Sequence, residues 1–193
     1  METRPTSEKI SAVALRILEK EGPEAVSMRR VAKAVGITPM AIYHHFPNRE
    51  ALLRTVTDRE FAKLADRFEN ALGRGPAEVK LLHILDNYLD YALEHPRIFD
   101  YVFSQYRSGA RRFPEDFVAR RSPTLNRVAD AIEDAMRQGL LKKDDLWEVA
   151  LELWAHVHGY VTLYRAGRFS LSEEQFRRLY RRSLRRLLHG LKA

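Results

Sequence analysis

Cysteine is absent from the chain, so disulfides, thiolate metal sites and cysteine nucleophiles are excluded. No stretch approaches the roughly 18 uninterrupted apolar residues that a membrane helix needs. The first residues, Met1 to Glu8, are polar and lack the basic-then-apolar order of a secretory leader. The expectation is a cytoplasmic, soluble protein with no membrane partner. No segment alternates apolar and polar residues between turn signals as a strand would, and there is neither an internal repeat nor a low-complexity tract. A nucleophile elbow, a glycine-rich phosphate loop and the Glu-x-x-His pairs of di-iron bundles are missing too. Nucleophilic, nucleotide-dependent and di-iron chemistry therefore lack their residues. The expectation is a non-enzyme with no catalytic residues, no cofactor and no metal.

What the chain does have is charge and helical periodicity. Its 193 residues are 45% hydrophobic and 31% charged, enough to bury a core without staples. The net charge of +7 suits a nucleic-acid partner, but its placement matters more than its total. Met1 to Leu52 carries eight Lys or Arg against six Asp or Glu, whereas Arg168 to Ala193 carries eight against two. Most of the basicity belongs to the last helix, so charge alone does not single out a DNA-binding segment.

The spacing predicts an all-α protein of about nine helices. Ile10, Val13, Ala14, Ile17 and Leu18 make one apolar stripe, ended near Glu21 by Gly22-Pro23. Ser27 can cap a short helix carrying Val31, Ala32 and Val35, and Gly36 can end it in the left-handed conformation. Thr38-Pro39 then reads as a fresh N-cap and first helical residue, and Pro47 stops that helix after about two turns. Asn48 caps a long connector helix, 48–72. Gly73, Gly75 and Pro76 interrupt the pattern. Further helices follow to His95-Pro96, briefly around Ile98 to Phe103, and then over about Pro123 to Gln138, Asp144 to Arg165 and Ser172 to His189. Ser104 to Thr124 is weakly patterned and is expected to be a loop.

The stretch from Ser27 to Phe46 is a capped helix, a tight turn and a two-turn helix, which is a helix-turn-helix. The second helix of such a unit enters the major groove with its N-terminal residues nearest the bases. Ile42 and Phe46, four apart, supply its buried side. Met40, Ala41, His44 and His45 are left pointing outward. Adjacent helical histidines diverge by about 100°, so His44 and His45 cannot share a metal ion without further ligands.

The residues Ser27-Met28-Arg29-Arg30-Val31-Ala32, Val35-Gly36-Ile37 and Ala41-Ile42-Tyr43-His44-His45-Phe46-Pro47-Asn48-Arg49-Glu50-Ala51-Leu52-Leu53 resemble the DNA-binding head of TetR-family transcriptional regulators. The resemblance spans roughly residues 8 to 55. It implies a helix-turn-helix DNA-binding domain over 1–52 and a helical ligand-binding and dimerisation domain over 53–193. It also implies a homodimer on a palindromic operator in double-stranded DNA and a small-molecule effector. Carried over position by position, it makes Ser27 and Tyr43 phosphate contacts, Arg29 a base or phosphate contact, and Arg49 a phosphate contact. Met28, Thr38 and Pro39 complete the DNA-facing set with Met40, Ala41, His44 and His45. The chain departs from the family pattern at Met40, where glycine is common, and at Ala41, where a hydroxyl is common.

Beyond the head, aromatic residues are dense. Each of Tyr88, Phe99, Phe103, Tyr106, Phe117, Trp147, Trp154 and His158 could simply fill a core. Together they suit a pocket for an apolar or aromatic effector held by a few hydrogen bonds. The wide stripes of the last two helices suggest cover by a second copy, which would place Tyr160, Val161, Tyr164, Tyr180, Leu184 and Leu187 at a dimer interface. His156 and His158 lie two apart and point to nearly opposite sides of their helix. The alternative reading is a helical interaction module. Its basic last helix, with Arg177, Arg178, Arg181, Arg182, Arg185 and Arg186, would bind an acidic membrane surface or protein.

Overall fold

The computed structural model describes residues 6–71, 75–104 and 109–193, and every described element is helical apart from one isolated backbone bridge. The helices are α1 (Thr6–Glu21), α2 (Met28–Val35), α3 (Pro39–Tyr43), α4 (Arg49–Ala71), α5 (Ala77–Glu94), α6 (Pro96–Phe99), α7 (Glu115–Val118), α8 (Pro123–Arg137), α9 (Leu146–Arg165) and α10 (Glu173–Gly190). A 3-10 turn at Pro23–Ala25 and a π-helical segment at Asp100–Ser104 complete the set. The one-turn α7 lies within the stretch expected to be a loop; four residues are too few to show a periodicity. Leu72, Gly73 and Tyr106 fall outside the described residues. None of the described helices is long and apolar enough to cross a membrane.

The chain divides into two compact units, Met1–Ala62 with Leu93–Arg107, and Lys63–Ala92 with Ser108–Ala193. Helix α4 is continuous through the first boundary.

In the first unit the α1 stripe is buried as its spacing requires, and Gly22, at φ 89°, turns the chain into Pro23. The Ser27 hydroxyl accepts from Arg30 N–H at 3.3 Å and opens α2. Gly36 closes α2 at φ 81°, with its own N–H and that of Ile37 both returning to the Ala32 carbonyl at 3.0 Å. That double closure needs a left-handed residue, which glycine supplies without a Cβ clash. Thr38 then caps α3 by accepting from Ala41 N–H at 3.1 Å, and Asn48 does the same for α4 from Ala51 N–H at 2.8 Å. Helix α6 packs on α1, where Arg97 donates to the carbonyls of Glu19 (3.2 Å) and Lys20 (2.5 Å), which the helix end leaves without intrahelical donors. Beside it His95 Nδ1 lies 3.5 Å from the Glu19 carboxylate.

In the second unit α8, α9 and α10 are capped by Ser122, Asp145 and Ser172, the last in a reciprocal capping box with Gln175. Helix α9 packs between α8 and α10. The Tyr180 hydroxyl donates to the Leu85 carbonyl at 2.6 Å, and Tyr164 stacks on Phe176 with ring centroids 3.9 Å apart. This packing bears on the residues expected at a dimer interface. Val161, Tyr180 and Leu184 are buried inside the single chain, Tyr160 and Tyr164 pack against Tyr180 and Phe176 of the same chain, and Leu187 is half-buried. The inner sides of both stripes are consumed within the single chain, leaving Ala155 and Leu163 of α9 outward. The arginines of α10 are partly spent as well: Arg177 pairs with Asp90 and Glu173, Arg178 with Glu174 and Arg181 with Asp86.

His156 lies at the α9–α10 seam, its Nε2 3.0 Å from Ser183 Oγ and its ring 5.1 Å from that of Tyr160. Burial disfavours the imidazolium and lowers the pKa from the ordinary 6.5. The unfolded chain then takes up the proton first, so the stability this residue contributes is intact above 6.5 and declines as pH falls below it toward the folded value. The thermal midpoint of the second unit, followed by tryptophan fluorescence, is expected to drop more between pH 7.5 and 5.5 than that of a His156→Gln variant. Equal drops would remove His156 as the cause.

Candidate nucleic-acid interface

Three N-caps in twenty-two residues fix the geometry of the head. Ser27, Thr38 and Asn48 each accept a backbone N–H with the side chain. Between them Ile42 (0% exposed) and Phe46 anchor one side of α3 in the core of the unit. The opposite side is then forced outward by helix geometry: Met40 is 72% exposed and Tyr43 49%, His44 and His45 are exposed, Ala41 is half-buried and Pro39 exposed. Ser27 and Thr38 are exposed too. Each of their oxygens accepts a cap bond, which leaves the O–H free to donate to an acceptor such as a phosphate oxygen.

Two expected DNA contacts do not sit as anticipated. Met28 is buried, because Met28, Val31 and Ala32 fall at i, i+3 and i+4 and form the inner side of α2. That periodicity is readable from the sequence. Arg49 is half-buried and turned inward: its Nε donates to the Val26 carbonyl at 2.7 Å and its Nη2 to the Pro23 carbonyl. It ties the first turn of α4 to the loop that precedes α2.

Cations remain on the outer side of α2. Arg29 and Lys33, four apart and exposed, share one side of the helix. Arg30, by contrast, is bound to Glu21, with Nη1 2.9 Å from Oε2; this hydrogen bond holds the Glu21 carboxyl below its ordinary range. The interface therefore offers hydroxyls and a cation pair beside an uncharged recognition helix. That combination can fix register on a phosphate backbone and present apolar and imidazole groups to base edges.

The residues expected to line an effector pocket are distributed between the units. In the second unit Trp154 Nε1 donates to Tyr88 OH at 3.2 Å, and His158 Nδ1 lies 2.8 Å from the same hydroxyl. Indole is a donor only, so the Tyr88 oxygen accepts from Trp154, and on the far side of the imidazole His158 Nε2 lies 3.4 Å from Thr162 Oγ1. Burial pushes the Tyr88 phenol far above its ordinary range and keeps it neutral. Phe117 joins this group, 6.4 Å from Trp154, while Trp147 carries the Arg120 guanidinium 5.5 Å above its ring. Phe99 and Phe103 belong to the first unit, where their rings lie 5.1 Å apart and Phe103 meets Phe61 edge-on at 5.3 Å. Tyr106 lies outside the described residues.

Comparison with known proteins agrees with this architecture. Residues 10–56 match the family described as bacterial regulatory proteins, tetR family, and residues 81–187 match the tetracyclin repressor-like C-terminal domain. The regulator UidR of Escherichia coli strain K12 is 32% identical over 85 residues, covering 44% of this chain and 40% of its own. The chain thus spans half or less of the length of the first curated relatives it matches. Among solved structures, a protein of unknown function from Rhodococcus sp. RHA1 superposes with a TM-score of 0.84 at 22% identity, covering 100% of this chain and 98% of that one. FadR from Bacillus subtilis, solved in complex with stearoyl-CoA, gives 0.74 at 16% identity over 95% of this chain and 98% of its own. The chain belongs to the TetR family of helix-turn-helix transcriptional regulators.

Proposed function

We propose that the chain is a ligand-responsive repressor of the cytoplasm that binds a palindromic operator as a homodimer and is released by a small apolar or aromatic effector. The DNA-binding domain is assigned to 1–52 and the ligand-binding and dimerisation domain to 53–193, with α4 as connector. The observation that carries this reading is the exposed side of α3: Met40, Tyr43, His44 and His45 face outward while Ile42 and Phe46 hold the helix from behind. Two such helices related by a two-fold axis would read half-sites about 34 Å apart or a multiple of that spacing. Self-association is assigned to the outward sides of α9 and α10, where Ala155, Leu163 and the half-buried Leu179 lie. Tyr88, Trp154 and His158 supply polar tips inside an aromatic cluster, which suits an apolar effector held by one polar end. The B. subtilis FadR fold binds stearoyl-CoA, so long-chain acyl thioesters are the first effectors to try. An effector that binds better when the heads are mis-spaced weakens operator binding by the same differential, typically about 5- to 150-fold.

The test is a salt titration on duplexes enriched from a random pool. An inverted repeat is expected, with a steep fall of affinity as salt rises. Arg29→Ala and Tyr43→Phe are expected to weaken binding uniformly across sequences, the former also reducing the salt slope by about one for each phosphate that Arg29 neutralises. If neither substitution changed binding while removal of the α10 arginines abolished it, the head would not be the binding surface.

A further inference from the structure

We infer that Met40 is a specificity-determining residue and that it reads the C5-methyl group of a thymine in each operator half-site. The inference rests on the DNA-binding reading and adds to it the identity of a base and of the group that selects it.

The outward side of α3 is unusual in what it lacks. Bidentate reading of guanine uses Arg or Lys, that of adenine uses Asn or Gln, and cytosine donates to Asp or Glu. None of these stands at positions 39 to 46. The outward groups are Pro39, Met40, Tyr43, His44 and His45, with Ala41 half-buried, and only the phenol and the imidazoles can form strong hydrogen bonds. Among the exposed large apolar residues in the described part of the chain, Met40 is the most exposed at 72%. It contributes nothing visible to folding, because the core side of the helix is filled by Ile42 and Phe46 and the first turn is already closed by Thr38 and Pro39.

The position of Met40 gives that exposure a use. It is the second residue of α3, and the first turn of the second helix is the part that reaches the bases. Its neighbour Ala41 is small, so no bulky side chain stands beside it to hold the helix away from the groove. Among the major-groove features that distinguish base pairs, the apolar one is the thymine C5-methyl group; the others are hydrogen-bond donors and acceptors. A flexible, polarizable thioether is suited to contact a methyl group and gains nothing from an amino or carbonyl edge. His44 lies four residues on and Tyr43 three, on the same side. They frame Met40 with groups able to hydrogen-bond a purine edge and a phosphate.

The test uses the full chain and the duplex it enriches from a random pool. Each thymine is replaced in turn by uracil, which removes the methyl group and keeps every hydrogen-bonding atom. The wild type is expected to lose about fourfold in affinity at one thymine per half-site, the equivalent of one buried methyl group, and roughly sixteenfold when both half-sites are changed. Met40→Gln keeps the length of the side chain and, at a site this exposed, the fold, which circular dichroism confirms. It is expected to bind the thymine and uracil duplexes equally. Uniform wild-type affinity for all uracil duplexes would overturn the inference, and so would undiminished thymine preference in Met40→Gln. Failure of the wild type to enrich any duplex is a different result, and it removes the DNA-binding reading itself.

Discussion

Replacing Ile42 by alanine is expected to unfold the head locally and abolish sequence-specific DNA binding while leaving the second unit folded. Ile42 is fully buried in the five-residue α3, a helix too short to persist on its own propensity. Truncating a buried isoleucine costs about 2–5 kcal/mol, and the cost is highest where the surroundings cannot collapse into the space. The short α2–α3 segment, whose buried side chains are Val26, Met28, Val31, Ala32, Ile42 and Phe46, has little reserve against a loss of that size. The effect can be localised because both tryptophans, Trp147 and Trp154, lie in the second unit. Amide exchange protection over α1 to α3 is expected to fall to near that of an unfolded segment, with the tryptophan-monitored urea midpoint unchanged. Retained protection over α2 and α3 would show that α3 is held by something other than the Ile42 side chain.

The parts of this structure that are legible in the sequence are those written in local signals. A hydroxyl residue followed by a short apolar repeat marks the caps at Ser27 and Thr38, and glycine after Val35 marks the left-handed closure at Gly36, because each involves atoms within five residues. Contacts distant in the chain leave no such trace. Arg49 reaches carbonyls 23 and 26 residues away, and Arg97 reaches α1 across 77 and 78 residues. Either arginine, taken from the sequence, is only a cation. The residues expected at a dimer interface raise a related point. Width of an apolar stripe states how much surface must be covered and is silent on whether the same chain or a second copy covers it. Val161, Tyr180 and Leu184 are covered from within. Aromatic density likewise does not say which unit an aromatic serves, and it is the sole ground for expecting Phe99 and Phe103 in a pocket. Met28 is the opposite case, for its place on the inner side of α2 follows from its spacing to Val31 and Ala32.

For Arg49 the two roles, phosphate contact and brace, predict different experimental signatures. Removing a surface phosphate contact leaves stability unchanged and lowers the salt slope of DNA binding by about one. The geometry predicts the reverse. The guanidinium donates to the carbonyls of Val26 and Pro23, which belong to the loop that sets up Ser27 and α2. Charged hydrogen bonds of this kind contribute about 1.5–3 kcal/mol each, and half-burial discounts the pair toward the lower part of that range. Arg49→Ala is therefore expected to destabilise the head by about 2–3 kcal/mol and to weaken operator binding with the salt slope preserved. Arg49→Lys is expected to recover little, since an ammonium group cannot reproduce the planar fork that serves two carbonyls at once. Hydrogen exchange over residues 22 to 30 separates the outcomes: faster exchange with an unchanged salt slope supports the brace. Unchanged exchange with a reduced slope would return Arg49 to the phosphate backbone and leave the loop before α2 to be held by Val26 and Met28 packing alone.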